Sequence, residues 1–394
     1  MDTLLGPLRY ITPFAVITVW GVICRHMNQL IYDQWHFARP ALTKHYMKHL
    51  LEGTGDPIAL QSPRRWGKTT FLLSEIKPEA EARGLLPVYI DVWQNRDNAL
   101  SAINYGLSEA VDDLQVPNST VGKRLNTKVG KVSLAGVRVE FGEEPSRKAP
   151  TDPYLLVDWL LKSLIRTARR PVLLLFDEVQ ELGVAKDGEA VISALRSAIT
   201  KSKSSVRVIF TGSNQDRLRE LFSRSHAALY EGASLLNFPH LEADFLKFVA
   251  GHIRDRLHRR VTLAELLDAF ERFAYQPRLL IDRVLLYVSS NAKSFTSLLD
   301  DRTERAFTDE TFKPLYEGLT SLQQAIIRRL LTHAEISSQE ARALYAEALN
   351  RRSISPGSVS DALKSLIDAQ VLTKPAGSGG YAIADPLFER WLKK

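Results

Sequence analysis

Short apolar runs alternate with longer amphipathic segments from Pro57 onward. The apolar runs are predicted to be strands, at Ile58–Gln61, Pro87–Val92, Val172–Asp177, Val206–Thr211 and Ser234–Phe238. Helical periodicity marks the segments between them, at Ala99–Leu114, Asp152–Ala168 and Glu189–Thr200. Because strands that are apolar throughout are typical of a sheet buried on both faces, the pattern predicts an α/β fold with a parallel sheet.

The pattern changes twice in the C-terminal part of the chain. From Leu241 to about Asn291 it is helical throughout. After the polar run Asp300–Glu310, three helical segments precede a strand, a Gly-rich turn and a second strand. These helices are predicted at Leu319–His333, Gln339–Leu349 and Gly357–Ala369. Three helices followed by a hairpin are typical of a winged-helix domain.

An uncharged apolar stretch, Tyr10–Cys24, lies near the N-terminus and contains Pro13. It is shorter than the roughly 20 residues that a membrane helix needs, and no small-residue cleavage site follows it. Three interpretations stay open: a buried or interfacial segment, a translated upstream extension with Met27 as the working start, and a membrane anchor. We expect no membrane partner.

Composition narrows the class of protein. The 394 residues are 45% apolar and 25% charged, which indicates two or three folded domains and excludes a disordered chain. The net charge of +7 permits a nucleic-acid partner without requiring one. Cys24 is the single cysteine, which excludes an intrachain disulfide and a cysteine-rich zinc site and favours a reducing, cytoplasmic compartment.

The strongest chemical motif follows the first predicted strand and opens a helix, which is the context of a phosphate-binding P-loop. Its residues are Ser62, Pro63, Arg64, Arg65, Trp66, Gly67, Lys68, Thr69 and Thr70. Backbone N–H groups would bind the β-phosphate, Lys68 the β- and γ-phosphates, and the Thr69 hydroxyl Mg²⁺, with Thr70 near the α-phosphate. Ser62 stands where the P-loop consensus has Gly. A helix start without a nucleotide is the alternative.

Two acidic residues end the predicted strand Val172–Asp177. Asp177 is predicted to hold Mg²⁺ through its water shell, opposite Thr69, and Glu178 to orient the attacking water or accept its proton. An Asp-Glu pair at a strand end can also begin a helix as its N-cap. Because both motifs occur in the order and context of a nucleotide site, we favour ATP and Mg²⁺ as cofactors.

A third apolar run, Val206–Thr211, leads to Ser213 and Asn214. In ATPases with an additional strand, the strand that carries the γ-phosphate sensor lies between the P-loop strand and the acidic strand. Either Ser213 or Asn214 could reach the γ-phosphate or the lytic water. Ordinary turn chemistry at a strand end is the alternative.

Three segments together resemble one family: PRRWGKTTFL in the P-loop, LLLFDEVQEL around the acidic pair, and IFTGSNQDRLRELF with ALYEGASLLNFPHL after it. From about Phe37 to Leu392 the chain resembles the archaeal-type ATPases, on the AAA+/STAND side of the additional-strand P-loop NTPases. The resemblance implies binding of ATP and Mg²⁺ and slow hydrolysis. It also implies a helical lid and a C-terminal winged helix. Together with the sequence pattern it predicts five regions: an apolar N-terminal extension (1–26), a P-loop ATPase core (27–240), a helical lid (241–299), a linker (300–314) and a winged-helix domain (315–394).

The chain departs from the family at two positions. Ser62 replaces a Gly, and Glu231-Gly232 follow Tyr230 where the family has a Gly-Arg pair. The spacing does not single out a replacement for the missing arginine among Arg217, Arg219 and Arg224. In the lid, Tyr275-Gln276-Pro277-Arg278 resembles the Gly-x-Pro/Ala-Arg turn of origin-recognition ATPases, so Arg278 is either a γ-phosphate sensor or a surface charge.

The partner stays open between DNA, a protein and a second copy of the chain. The candidate recognition helix, Gly357–Ala369, carries Lys364 against Asp361 and Asp368, whereas DNA readers are usually basic. Arg351, Arg352 and Lys374 partly compensate. Two further groups of basic residues each have two interpretations, a solvated surface or a nucleic-acid contact. One group precedes a predicted hairpin at Val132–Phe141 and contains Lys123, Arg124, Lys128 and Lys131. The other lies in the lid and contains Arg254, Arg256, His258, Arg259 and Arg260.

Two functions use the same predicted site. The first is a Mg²⁺-dependent ATPase whose hydrolysis drives rearrangement of the lid and winged helix, with DNA as a candidate partner. The second is a nucleotide-gated, STAND-like switch that docks a protein partner with little turnover. The intact set Lys68, Thr69, Asp177 and Glu178 argues against a DNA-binding protein that no longer uses ATP.

Overall fold

The computed structural model describes residues 34–53, 55–95, 98–115, 148–183, 185, 187–223, 232–299, 309, 312–332, 334–373 and 380–393. The described residues form two compact units, one within Arg39–His240 and Arg305–Lys394 and the other within Met1–Ala38 and Leu241–Glu304. Several predicted features lie outside the described residues: the stretch Tyr10–Cys24, the hairpin Val132–Phe141 with its four basic neighbours, Arg224, Tyr230-Glu231, Lys374 and most of the polar linker.

The first unit contains the predicted parallel sheet. Among the described residues, five strands pair in the order β2-β3-β4-β1-β5. They are β1 (Ile58–Gln61), β2 (Leu86–Asp91), β3 (Val172–Asp177), β4 (Val206–Gly212) and β5 (Ser234–Asn237). The α/β prediction is confirmed, and β4 lies between β1 and β3, as expected for an additional-strand ATPase.

Helices cover both faces of this sheet. They are α1 (Pro40–Glu52), α2 (Lys68–Phe71), a π-helical turn (Leu72–Ile76), α3 (Lys77–Ala82), α4 (Ala99–Gln115), α5 (Pro153–Ala168), α6 (Gly188–Lys201) and α7 (Gln215–Ser223). Alternate residues of β3 point to opposite faces, so Leu174 and Phe176 pack in the cluster with α4, α5 and α6. Leu173 and Leu175 pack in the cluster with α1, α2 and α3. The two-sided burial explains why the strands are apolar throughout.

An ion pair between Arg39 and Glu75 connects the start of α1 to the helix that follows the P-loop. Glu75, in the π-helical turn, accepts hydrogen bonds from the backbone N–H of Arg39 (2.5 Å) and from Thr43 Oγ1 (3.1 Å). The Arg39 guanidinium lies over the rings of Phe71 and Phe238, at 4.8 and 4.4 Å from their centroids. Burial lowers the pKa of Arg39, although Glu75 opposes this shift.

The second unit is the helical lid with the segment that contains Trp35. Its helices are α8 (Ala243–Leu257), α9 (Leu263–Arg272) and α10 (Pro277–Ser289). Arg259 donates hydrogen bonds to the carbonyl oxygens of Tyr287, Ser290 (3.0 Å) and Ala292 (2.5 Å) at the end of α10. Arg259 is therefore half-buried and stabilises a helix C-terminus, whereas the rest of the predicted basic group is exposed: Arg254, Arg256, His258 and Arg260.

The C-terminal part of the first unit has the predicted order of helices and hairpin. Its elements are α11 (Ser321–Leu331), α12 (Gln339–Ala348), α13 (Pro356–Asp368), β6 (Leu372–Thr373), β7 (Ala382–Ile383) and α14 (Pro386–Lys393). The two short strands pair antiparallel. The hydroxyls of Thr320, Ser338 and Ser355 cap the helices α11, α12 and α13.

The final helix, α14, was not predicted from the sequence. Pro386 occupies its first turn, where a missing N–H costs nothing, and Asp385 accepts a hydrogen bond from the backbone N–H of Leu387. Phe388 and Trp391 stack on each other at 5.8 Å and pack against Phe312. No helix in the described part of the chain is long and apolar enough to cross a membrane.

Candidate nucleotide site

The carboxyl ends of β1, β3 and β4 meet at one edge of the sheet, the edge at which ligands bind in open parallel sheets. The P-loop follows β1, the acidic pair ends β3, and Ser213 and Asn214 follow β4. Because β4 pairs with both β1 and β3, the three predicted motifs become neighbours.

The P-loop turns sharply before α2. Gly67 has φ +89°, in the left-handed region, and a Cβ there would meet nothing within 4 Å, so conformation rather than space favours glycine. Arg65 also has a positive φ, of 65°. The exposed Arg64 lies over the Trp93 ring (4.9 Å) and donates from Nε to Ser213 Oγ (3.4 Å). The loop therefore contacts the end of β4 directly.

Lys68 is buried at the start of α2, with 5% of its surface exposed. Its Nζ donates to the carbonyl oxygen of Ser62 (3.0 Å), to Ser62 Oγ (3.0 Å) and to the carbonyl oxygen of Pro63 (3.1 Å). Burial lowers the pKa of Lys68 to about 8, although the charges of Glu178 and Asp177 oppose the shift. Ser62, at the position where glycine was expected, thus supplies a side-chain acceptor that glycine lacks.

Three hydroxyl groups converge on Asp177, which is almost fully buried. Thr69 Oγ1 and the Tyr89 hydroxyl donate to Oδ2, at 2.5 and 3.1 Å, and Thr211 Oγ1 donates to Oδ1. Burial raises the pKa of Tyr89, and the negative charge of Asp177 adds to the rise. The predicted pair Thr69 and Asp177 is brought together, whereas Tyr89 and Thr211 were missed.

Glu178 is half-buried and has a left-handed backbone, with φ 56°. Its Oε2 accepts hydrogen bonds from Ser213 Oγ (2.7 Å) and from Gln180 Nε2 (2.5 Å). Ser213 was a predicted candidate for reaching the γ-phosphate or the lytic water, whereas Gln180 was not predicted. Both donors bind the same carboxylate oxygen.

The remaining predicted residues have other surroundings. Asn214 Oδ1 accepts from the backbone N–H of Arg217 (3.0 Å), so Asn214 caps α7. The Trp66 ring contacts the His240 ring at 5.2 Å, and Thr70 is exposed in α2. Arg278 is an exposed residue in the first turn of α10, in the lid unit.

The donor set suits a hard divalent cation that also has phosphate and water ligands. Thr69 and Asp177 present hydroxyl and carboxylate oxygens, the ligand types that Mg²⁺ prefers. Among the described residues, no three His, Cys, Asp or Glu side chains cluster closely enough to hold a metal by themselves. Thr69 and Asp177 are thus the residues of this set that could hold Mg²⁺ together with other ligands.

No family model matches the chain, and no curated protein matches it either. Solved structures do match. A Walker-type ATPase of Pyrococcus abyssi is 17% identical over 91% of this chain and 96% of its own, with a TM-score of 0.57. The ORC2 protein of Aeropyrum pernix in its ADP form is 14% identical over 90% and 92%, with a TM-score of 0.50. The same protein in its ADPNP-ADP complexes is 15% identical over 90% of each chain, with a TM-score of 0.51. The likeness confirms the fold class predicted from the sequence, an α/β P-loop core with a helical lid and a C-terminal winged helix.

Proposed function

We propose that the chain binds ATP with Mg²⁺ and hydrolyses it, and that hydrolysis changes the conformation of the lid and the winged-helix domain. The observation that carries this proposal is the convergence of Lys68, Thr69 and Asp177 with Glu178 at the carboxyl edge of the sheet. Two similar structures, a Walker-type ATPase and a protein in its ADP form, support it.

In this proposal the P-loop, residues 62–70, binds the phosphates. Backbone N–H groups at the start of α2 face the β-phosphate, and the positive end of the helix dipole favours its negative charge. The phosphates replace the carbonyl oxygens of Ser62 and Pro63 as partners of Lys68 Nζ. Thr69 and Asp177 hold Mg²⁺, which neutralises phosphate charge when it is bound.

Glu178 then acts on the attacking water. Ser213 and Gln180 occupy Oε2 of Glu178, and Oε1 can accept the water's proton or orient it. Arg278 is the proposed sensor that couples the γ-phosphate to the lid. Arg217 does not suit the role of the arginine that is missing from the family's Gly-Arg pair, because its side chain is buried and forms an ion pair with Asp368.

The nucleotide-gated switch with little turnover is the second candidate. The observation that favours it is the left-handed backbone of Glu178, combined with two hydrogen bonds to one carboxylate oxygen. In this candidate Glu178 serves as an acceptor for Ser213 and Gln180 within the protein rather than as a base for water. In this case the chain docks a protein, or a second copy of itself, according to the bound nucleotide.

Steady-state ATP turnover separates the two candidates. It should be measured with Mg²⁺ and with EDTA, with and without duplex DNA, and over a range of protein concentrations. An enzyme turns over repeatedly with Mg²⁺, and stimulation by DNA or by protein concentration identifies the partner. ATP binding with less than one turnover under every condition would favour the switch.

A further inference from the structure

The winged-helix domain contacts the nucleotide-binding core within the first unit, at the C-terminal end of α13. Arg217 Nη2, from α7, donates to the carbonyl oxygen of Ile367 and to Asp368 Oδ1, both at 2.9 Å. Two residues further along the chain, Gln370 Nε2 donates to Glu181 Oε1 at 2.9 Å. A longer and more exposed ion pair joins Arg65 to Asp385 at 3.7 Å.

Three of these side chains are shielded from water, whereas that of Asp368 is half exposed. The exposed fraction is 8% for Arg217, 2% for Glu181 and 9% for Gln370. While the winged helix stays docked, a buried polar group that loses its partner is not rehydrated, so the loss costs more than it does at a surface. Docking of the winged helix is therefore linked to the hydrogen-bonding state of Glu181, three residues after Glu178.

Gln180 connects Glu181 to Glu178. Its side chain is fully buried, and Nε2 donates to Glu178 Oε2 at 2.5 Å and lies 3.4 Å from Glu181 Oε1. One amide group thus serves two carboxylates, and the shorter bond goes to Glu178. The three side chains Gln370, Glu181 and Gln180 form a continuous polar chain from the winged helix to Glu178.

The end of β4 makes room for this chain. A Cβ at Gly212 would lie 2.5 Å from Gln180 Oε1 and 2.9 Å from Leu218 Cδ1, closer than real Cβ atoms approach other atoms. Only glycine therefore fits at position 212 without moving Gln180. Gly212 also directly precedes Ser213, the second donor to Glu178.

We propose that Gln180 is a positioning residue for Glu178, and that Gln370 of the winged-helix domain controls it through Glu181. When Gln370 supplies Glu181 with a hydrogen bond, the amide of Gln180 stays with Glu178. When the winged helix leaves, water replaces Gln370 at Glu181 Oε1, the amide of Gln180 exchanges between the two carboxylates and water, and Glu178 loses its fixed orientation. The inference rests on the proposed function of Glu178 in hydrolysis.

The consequence is that docking of the winged helix favours turnover. A partner that binds the C-terminal end of α13, at Asp368, would compete with Arg217 for the same atoms. Such a partner shifts the docking equilibrium and thereby slows hydrolysis, because it binds the undocked state more tightly.

The test is a double-mutant cycle on the full-length chain. Gln180→Met and Gln370→Met keep side-chain volume and remove the amides, and Gln339→Met, at the exposed first residue of α12, is the matched control. We expect kcat to fall about 10–100-fold in Gln180→Met, the range for hydrogen bonds to charged groups, and less, about 3–10-fold, in Gln370→Met, which acts through another residue. KM and binding of a non-hydrolysable ATP analogue should stay near the parent values in the variants. Tm is measured beside them, because a lost hydrogen bond to a buried carboxylate also lowers stability.

The double variant measures the coupling. If Gln370 acts through Gln180, the double variant has the kcat of Gln180→Met alone. Losses that multiply would mean that the two residues act independently and would overturn the proposal. Parent-like kcat in either single variant, or a lowered Tm with unchanged kcat, would also overturn it.

Two further variants keep the result interpretable. Glu178→Gln reports on the proposed function of Glu178. If Glu178→Gln loses turnover while Gln180→Met keeps it, only the positioning role of Gln180 fails. If Glu178→Gln keeps turnover, both the proposed function of Glu178 and the positioning role of Gln180 fail. If Gln180→Met does not fold, Gly212→Ala displaces the same amide without removing it, and a kcat equal to that of the parent then contradicts the proposal.

Discussion

Asp177 and Glu178 are neighbours in the chain, but different parts of the molecule hold them. The side of the site around Asp177 is completed by hydroxyls of the core alone, from Thr69, Tyr89 and Thr211. The side around Glu178 extends through Gln180 and Glu181 to Gln370 in the winged-helix domain. The names Asp177 side and Glu178 side are used below for these two sets of residues.

This difference between the two sides leads us to expect that nucleotide binding and ATP turnover respond to different substitutions. The Asp177 side consists of strand ends and a helix start at one edge of the sheet, and its hydrogen bonds to Asp177 come from Thr69, Tyr89 and Thr211 rather than from the winged helix. The Glu178 side includes a hydrogen bond from the winged helix to Glu181, the contact that we propose a partner changes. We therefore expect substitutions on the Asp177 side to alter ATP and Mg²⁺ binding, and those on the Glu178 side to alter turnover alone.

The largest expected effect on binding comes from Lys68→Ala. It removes the buried positive charge beside the phosphates and should weaken ATP binding by about 100-fold or more, since several charge-assisted hydrogen bonds are lost together. The measurement is a titration with a non-hydrolysable ATP analogue. Lys48→Ala, on the exposed face of α1, is the control. Equal affinity in Lys68→Ala and the parent would remove the P-loop interpretation.

Arg278→Ala asks whether the lid contributes to nucleotide recognition. If Arg278 contacts the γ-phosphate, its loss weakens ATP binding about 10–150-fold and leaves ADP binding nearly unchanged, because ADP lacks the contacted group. Paired titrations with the ATP analogue and ADP measure this ratio, with Arg254→Ala as the exposed lid control. Equal losses for both ligands would indicate a structural arginine.

The pH dependence of ATP binding tests the burial of Lys68. Its pKa in the free protein is lowered to about 8, and bound phosphates favour the protonated form. Below pH 8 both states carry the proton, whereas above it binding requires proton uptake, so affinity falls as pH rises. We expect about a tenfold loss between pH 7 and pH 9. A flat profile for the parent, matching that of a permanently charged Lys68→Arg variant, would contradict the shift.

Tyr89→Phe should have the smallest effect of these changes, and the effect should be on Mg²⁺ binding, as expected for the Asp177 side. It removes one of the three hydroxyls that orient Asp177, so the Mg²⁺ concentration for half-maximal turnover should rise about 2–10-fold. Tyr105→Phe, at an exposed tyrosine that donates to Glu109, is the control. A fall in kcat at saturating Mg²⁺, with no change in the Mg²⁺ requirement, would place Tyr89 on the Glu178 side instead.

The sequence predicted the residues of the Asp177 side better than those of the Glu178 side. The strands Ile58–Gln61 and Val172–Asp177 were predicted with their observed bounds, because local apolar runs report burial on both faces. Lys68 and Asp177 occur in contiguous motifs, so their spacing alone indicated a site. Tyr89 contacts Asp177 only because of the register between β2 and β3, which local patterns do not contain.

The residues missed on the Glu178 side need still more distant information. Gln370 reaches Glu181 across 189 positions of sequence, through the docking of one domain on another. Arg259 illustrates the same limit in the lid. It belongs to a run of basic residues, but its guanidinium donates hydrogen bonds to three backbone carbonyl oxygens rather than to solvent. A charge pattern identifies ionic side chains but not the atoms that they bind.

The most direct test of the account is to measure ATP-analogue binding and steady-state turnover together in the parent and in Glu178→Gln. The substitution keeps size and polarity and removes the basic carboxylate. We predict unchanged affinity for the analogue and a fall in turnover of about 10²–10⁴-fold, the range for a positioned general base. Turnover equal to that of the parent, or a loss of binding that parallels the loss of turnover, would contradict the separation of binding from chemistry at Asp177 and Glu178.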